Sequence, residues 1–117
     1  MKQQKVINSF FEVMDQCLII KITEELDHHR VMALRDEADG LIEKERIRNI
    51  VFDFDGVNFM DSSGIGMIMG RYKRVIFTGG KVGVVHVSSG VDRIFRLSGL
   101  YKIIEKYDTV KDAVEAL

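Results

Sequence analysis

Ile50-Val51-Phe52-Asp53-Phe54-Asp55-Gly56 decides the fold. Its alternation puts Ile50, Phe52 and Phe54 on one face of a β-strand, and Val51, Asp53 and Asp55 on the other. A parallel strand covered by helices on both faces reads as a nearly unbroken apolar run. This one has a dry face and a mixed face, which implies helices mainly on one side of a sheet. Downstream, Ser62 to Ile76 carries Ile65, Ile68, Met69, Tyr72, Val75 and Ile76 at helical spacing, and Thr78-Gly79-Gly80 stops it. Gly66 and Gly70, four apart, imply that this helix lies close to a neighbour. Lys81 to Val87 reads as a strand with His86 on the face of Val82 and Val84, and Val91 to Leu97 as a short helix closed by Gly99. Lys102 to Lys106 reads as a last strand, and Thr109 as the cap of a final helix with Val110, Ala113, Val114 and Leu117.

Upstream, Phe10 to Met14 and Cys17 to Thr23 are β-rich runs joined by Asp15-Gln16, the pattern of a hairpin. Val31, Leu34, Ala38, Leu41 and Ile42 then mark a helix with Asp27 as N-cap, weakened but not ended by Gly40. The order β-β-α-β-α-β-α-β-α predicts the α/β class. It gives a mostly parallel sheet of four to five strands, with an antiparallel N-terminal edge strand and helices mainly on one side.

The chain has 117 residues, 46% of them hydrophobic, enough for one domain with one core, spanning 1–117. Seventeen Lys and Arg against 18 Asp and Glu give a net charge of −1, so no general basic field draws nucleic acid or an anionic membrane. The single Cys17 excludes an internal disulfide. The N-terminal sequence carries no apolar core of signal-peptide length, which gives a cytoplasmic expectation.

Few residues suggest chemistry. Val51-Phe52-Asp53-Phe54-Asp55-Gly56-Val57 resembles the first motif of haloacid-dehalogenase-type phosphatases, which implies Asp53 as nucleophile and Asp55 as general acid beside magnesium. The late acidic pair that would hold the metal is missing, so two carboxylates on the mixed face and its exit turn are favoured. A phosphoacceptor receiver domain would need an acidic pair after the first strand, where the chain offers Glu24-Glu25 after the second. Adjacent His28 and His29 point apart on a helix, so no metal pair is expected. Cys17 has no Lys, Arg or His beside it and is expected to be an inert buried thiol.

Phe59-Met60-Asp61-Ser62-Ser63-Gly64-Ile65-Gly66 leaves a strand and opens a helix. Capping accounts for Asp61 and one serine; a modifiable or partner-binding serine accounts for the string equally well. No Gly-x-Ser-x-Gly elbow is present, so a serine hydrolase is not expected.

Glu25-Leu26-Asp27-His28-His29, Asn58 to Gly66, Gly70-Arg71-Tyr72-Lys73, Arg93-Ile94-Phe95 and Ser98-Gly99-Leu100 together resemble the STAS domain family. Within it they are most similar to the anti-sigma F factor antagonists of endospore-forming bacteria. Glu24 and Ser89-Gly90 depart from the family pattern in loops beside the presumed binding surface. The resemblance implies a non-enzymatic regulator without cofactor or metal, phosphorylated on Ser62. Its implied partner-binding residues are Asp27, His28, Asp61, Ser62, Ser63, Gly64 and Ile65. The implied partners are an anti-sigma factor that is also the serine kinase, in its nucleotide-bound form, and a metal-dependent serine phosphatase. A STAS regulator of a stress-response module is the alternative.

Overall fold

The computed structural model describes residues 4–23 and 28–117. Six strands lie in the order β1(Gln4–Val6), β2(Phe11–Met14), β3(Cys17–Lys21), β4(Asn49–Asp53), β5(Val82–Val85), β6(Glu105–Tyr107). The first three are antiparallel, and β3 to β6 run parallel. Four helices, α1(His28–Lys44), α2(Ser62–Ile76), α3(Ser89–Ser98) and α4(Val110–Ala116), join or follow them. Among the described residues no helix is long and apolar enough to cross a membrane.

The alternation of the strands partitions the core as the sequence implies. Leu18, Ile20, Ile50, Phe52, Val82 and Val84 face one way and pack under Val31, Leu34, Ala38 and Leu41 of α1, Met67, Ile68 and Val75 of α2, and Val91 and Phe95 of α3. Cys17, Ile19, Val51 and Val85 face the other way and meet only α4, through Ala113, Val110 and Val114. Three helices therefore cover one face and one short helix covers part of the other. That partial cover is why the second face reads as mixed.

The hairpin turn at Asp15-Gln16 is present, with Asp15 at φ 57° in the left-handed region that Asp tolerates. Helix α1 runs through Gly40 without a break. Thr109 caps α4 by accepting the Asp112 N–H at 3.0 Å, and Gly99 ends α3 at φ 74°. Asp27, expected to cap α1, lies outside the described residues.

Four expectations are corrected. Strand β1 was not anticipated, because Gln4, Lys5 and Val6 are all exposed and carry no alternation; ladder bonds to β2 and the Lys5–Glu45 ion pair at 2.7 Å hold it. The Lys102–Lys106 strand is displaced: Leu100 to Lys102 form a 3₁₀ turn that buries Leu100 and Ile104, and the strand begins at Glu105. The buried face of α2 is rotated from the apolar reading, with Met67, Ile68, Arg71 and Val75 inside and Ile76 exposed. Among the described residues nothing lies against Gly66 or Gly70: a Cβ at either would meet no described atom within 4 Å. The close approach is instead at Gly80, whose Cβ would fall 1.9 Å from the Arg48 carbonyl oxygen and 2.8 Å from that of Val75. There the tail of α2 is wedged against the entry to β4.

Arg71 is buried because α1 supplies its counterion. Its Nε lies 2.9 Å from Asp39 Oδ1 and its Nη2 3.4 Å from Oδ2, while Arg74 Nε reaches the same Oδ1 at 3.0 Å. The Nε–Oδ1 approach is close but misaligned for a hydrogen bond, so the attraction is chiefly coulombic. Burial pulls the guanidinium pKa down and Asp39 opposes it.

A second polar cluster fastens α3 to β6. Asp92 accepts from Tyr101 Oη at 2.6 Å, Arg96 Nε at 2.7 Å and Lys106 Nζ at 3.1 Å. The Tyr101 hydroxyl first, and Arg96 next, hold the Asp92 carboxyl well below the usual range. A depressed carboxylate pKa adds stability above the unfolded value, near pH 4, and that contribution is lost as pH falls through the folded value. Asp92→Asn is expected to remove roughly 1 kcal/mol at neutral pH, given the solvent-screened partners. It should also flatten the fall in stability below about pH 4. Urea titrations of both proteins at pH 7 and pH 3 measure this.

Candidate functional site

The connection from β4 to α2 crosses the C-terminal edge of the parallel strands, where open α/β sheets present their sites. It starts at Phe54, whose N–H donates to the Val85 carbonyl at 3.0 Å, and turns through Gly56 at φ 81°. Val57 and Met60 point into the core, which leaves Phe59 between them 71% exposed. Asp61 is the N-cap of α2, its Oδ1 accepting the Ser63 N–H at 2.9 Å. Ser62 is the first helical residue and is exposed, as is Asp61. Ser63, Gly64 and Ile65 are half-buried behind them. A Cβ at Gly64 would fall 2.1 Å from Met60 Cε, so the loop folds back over the first turn.

Beside this turn lies a pocket of about 160 Å³, lined by Ile22, Thr23, Val31, Val57, Phe59, Met60, Asp61 and Gly64. It is an apolar recess with one carboxylate at its rim. Five of the seven expected partner-binding residues, Asp61 to Ile65, are thus one contiguous surface. Asp27 is outside the described residues. His28 opens α1, on the helix that supplies Val31 to the pocket.

Two local fields of opposite sign act at Ser62. Its hydroxyl stands at the positive end of a 15-residue helix. Asp61 occupies the Ser63 N–H and places one negative charge next door. A phosphate on Ser62 would be drawn by the helix end and repelled by Asp61, two effects of opposite sign and similar size.

Asp53 is committed elsewhere. Its Oδ1 accepts the Asp55 N–H at 3.0 Å and lies 2.8 Å from His86 Nδ1. A carboxylate only accepts, so the ring nitrogen donates. This corrects the placing of His86 with Val82 and Val84: at φ 55° it leaves the strand in the left-handed region, and its ring swings to the Asp53 side. Sequence alternation had no means of showing this. Among the described residues, no group of three or more His, Cys, Asp or Glu is arranged to hold a metal ion. Asp53 serves the turn through its carboxylate, and Asp55 enters that contact through its backbone N–H. Cys17 is buried, and burial followed by the charge of Asp15 pushes its thiol up to about 12, the inert thiol expected.

Comparison with known proteins places this geometry. The STAS domain family matches residues 11–113. The anti-sigma F factor antagonist of Paenibacillus polymyxa is 39% identical over 100 residues, covering 86% of each chain. The anti-sigma-B factor antagonist of Bacillus subtilis strain 168 is 30% identical over 86 residues, covering 74% of this chain and 77% of that protein. The solved structure of the anti-sigma factor antagonist SpoIIAA in its unphosphorylated form superposes with a TM-score of 0.77 at 26% identity, over 99% of this chain and 95% of that one. The phosphorylated form of the Bacillus cell fate determinant SpoIIAA gives 0.70 at 25%, over 99% and 98%. The relatives' names describe regulators that bind rather than catalysts. The chain belongs to the STAS domain family, and its similar relatives are antagonists of anti-sigma factors.

Proposed function

We propose that this protein is an anti-anti-sigma factor whose docking is gated by phosphorylation of Ser62. The unphosphorylated form binds an anti-sigma factor that is also its serine kinase, in the nucleotide-bound state, and so releases the sigma factor. A metal-dependent serine phosphatase resets it. The observation that carries the reading is an exposed hydroxyl at the first position of α2, beside an apolar recess. Ser62, Gly66 and Gly70 are spaced four apart along the helix, and the two glycines are open, so a partner can approach the backbone closely. Asp27 and His28 are proposed to extend this surface from the start of α1.

Sigma F in sporulation and a stress-response sigma factor are the two targets this reading admits, since relatives of both kinds share about 30% identity with the chain. The test is incubation with each candidate anti-sigma kinase and ATP, followed by mass spectrometry of the peptide from Asn58 to Arg71. One phosphate on Ser62, and none in Ser62→Ala, is the expected result. Ser62→Ala should also stay bound to the kinase in the presence of ATP, where wild type is released. Stoichiometric labelling of Ser62→Ala would move the acceptor to Ser63.

A further inference from the structure

The loop that carries Ser62 is held from the neighbouring β5–α3 connection at two points. At its root, Asp53 Oδ1 takes both the Asp55 N–H at 3.0 Å and His86 Nδ1 at 2.8 Å. Further along, the first turn of α3 presses on it: a Cβ at Gly90 would fall 2.5 Å from the Asn58 carbonyl oxygen. Between these points the chain passes His86, Val87, Ser88 and Ser89, with Ser88 capping α3 by accepting the Val91 N–H at 3.3 Å. His86 is one of three non-glycine residues at positive φ among those described, and it is exposed. Sterics oppose that backbone for a side chain bearing Cβ, so something must hold it. The Asp53 carboxylate, itself buried, is the partner present.

We propose that His86 is a positioning residue: through Asp53 it fixes the β4–α2 loop at the position from which Ser62 docks. The inference rests on the anti-anti-sigma reading for its consequence, and on geometry alone for the tie. The ring donates from Nδ1 to Asp53 Oδ1, and the same oxygen orders the Asp55 amide that begins the turn at Gly56. Losing the ring frees that oxygen to turn toward water and loosens the turn. Phe59 and Ser62 then sample positions that a partner must re-select, which lowers apparent affinity.

Three variants separate positioning from bulk stability. His86→Gly accepts the left-handed backbone but cannot reach Asp53. His86→Asn accepts the same backbone, as Asn does more readily than other side chains, and its amide can donate to the carboxylate. Asp53→Ala removes the acceptor from both bonds. In the free protein, amide hydrogen exchange at Asp55 and across residues 56–61 is expected to quicken about tenfold in His86→Gly and to return toward wild type in His86→Asn. Affinity for the unlabelled anti-sigma factor should fall about tenfold in His86→Gly, with recovery in His86→Asn. His86→Gly added to Asp53→Ala should change neither readout much further, because the two act through one bond. Unchanged exchange in His86→Gly would overturn the tie. Faster exchange with undiminished affinity would overturn its role in docking. A wild-type protein that does not bind the anti-sigma factor at all would instead overturn the function, with the exchange result still deciding the tie.

Discussion

Phosphorylated on Ser62, the protein is expected to bind its anti-sigma factor about a thousandfold more weakly, the effect of ~4 kcal/mol, while its melting temperature moves by no more than about 2 °C. The two halves have different physical causes. In the free protein the phosphate sits at the first residue of α2, where the helix end favours an anion by roughly 0.3–1 kcal/mol. Asp61, exposed and one residue away, offsets part of that through water. Neither effect reaches the core, because Ser62 itself is exposed. In the proposed complex the same group would be pressed against a protein surface. A desolvated, unpaired charge of about −1.5 to −2 then costs several kcal/mol. Isothermal titration of the two forms against the anti-sigma factor, with calorimetric melting of each alone, gives both numbers. A melting shift of ten degrees would mean that the phosphate acts by disturbing the fold.

The second large effect concerns stability. Asp39→Ala is expected to lower stability by about 3 kcal/mol, a melting shift on the order of 10 °C, because it strands a buried guanidinium. Arg71→Met should cost distinctly less. It removes the buried charge, keeps the unbranched stem among Met67 and its neighbours, and leaves Asp39 paired with Arg74 at 3.0 Å. The asymmetry is the informative part, since both substitutions break the same contact. Denaturant titrations of the two single variants measure it. Equal losses would show that Arg71 matters for packing and not for charge.

Arg71 also marks where sequence pattern stopped being legible. The span of α2, its cap and its exposed serine could be read directly, because Asp61-Ser62-Ser63 sits between a strand and a periodic helix. Which side of α2 faces inward could not be read so directly. A hydropathy pattern counts Arg as outside, and only Asp39 on another helix makes its burial tolerable. Strand β1 escaped for the converse reason: backbone bonds to β2 hold it, and its side chains are all in water. The one-sided stacking of three helices was visible because strand alternation records each face separately. The Asp53–His86 bond was not, since it depends on one backbone angle with no signature in residue type. Gly66 and Gly70 show the limit of spacing rules: the interval suggested close packing inside the molecule, and no described residue fills the space beside them.

Gly80 has a bearing on how the proposed modification of Ser62 would be felt. Its backbone passes so close to the Arg48 carbonyl that no side chain would fit, which ties the chain leaving the second helix to the entry of β4. A phosphate at the proposed acceptor is therefore expected to act outward, on whatever docks in front of the helix, and not by sliding it backward.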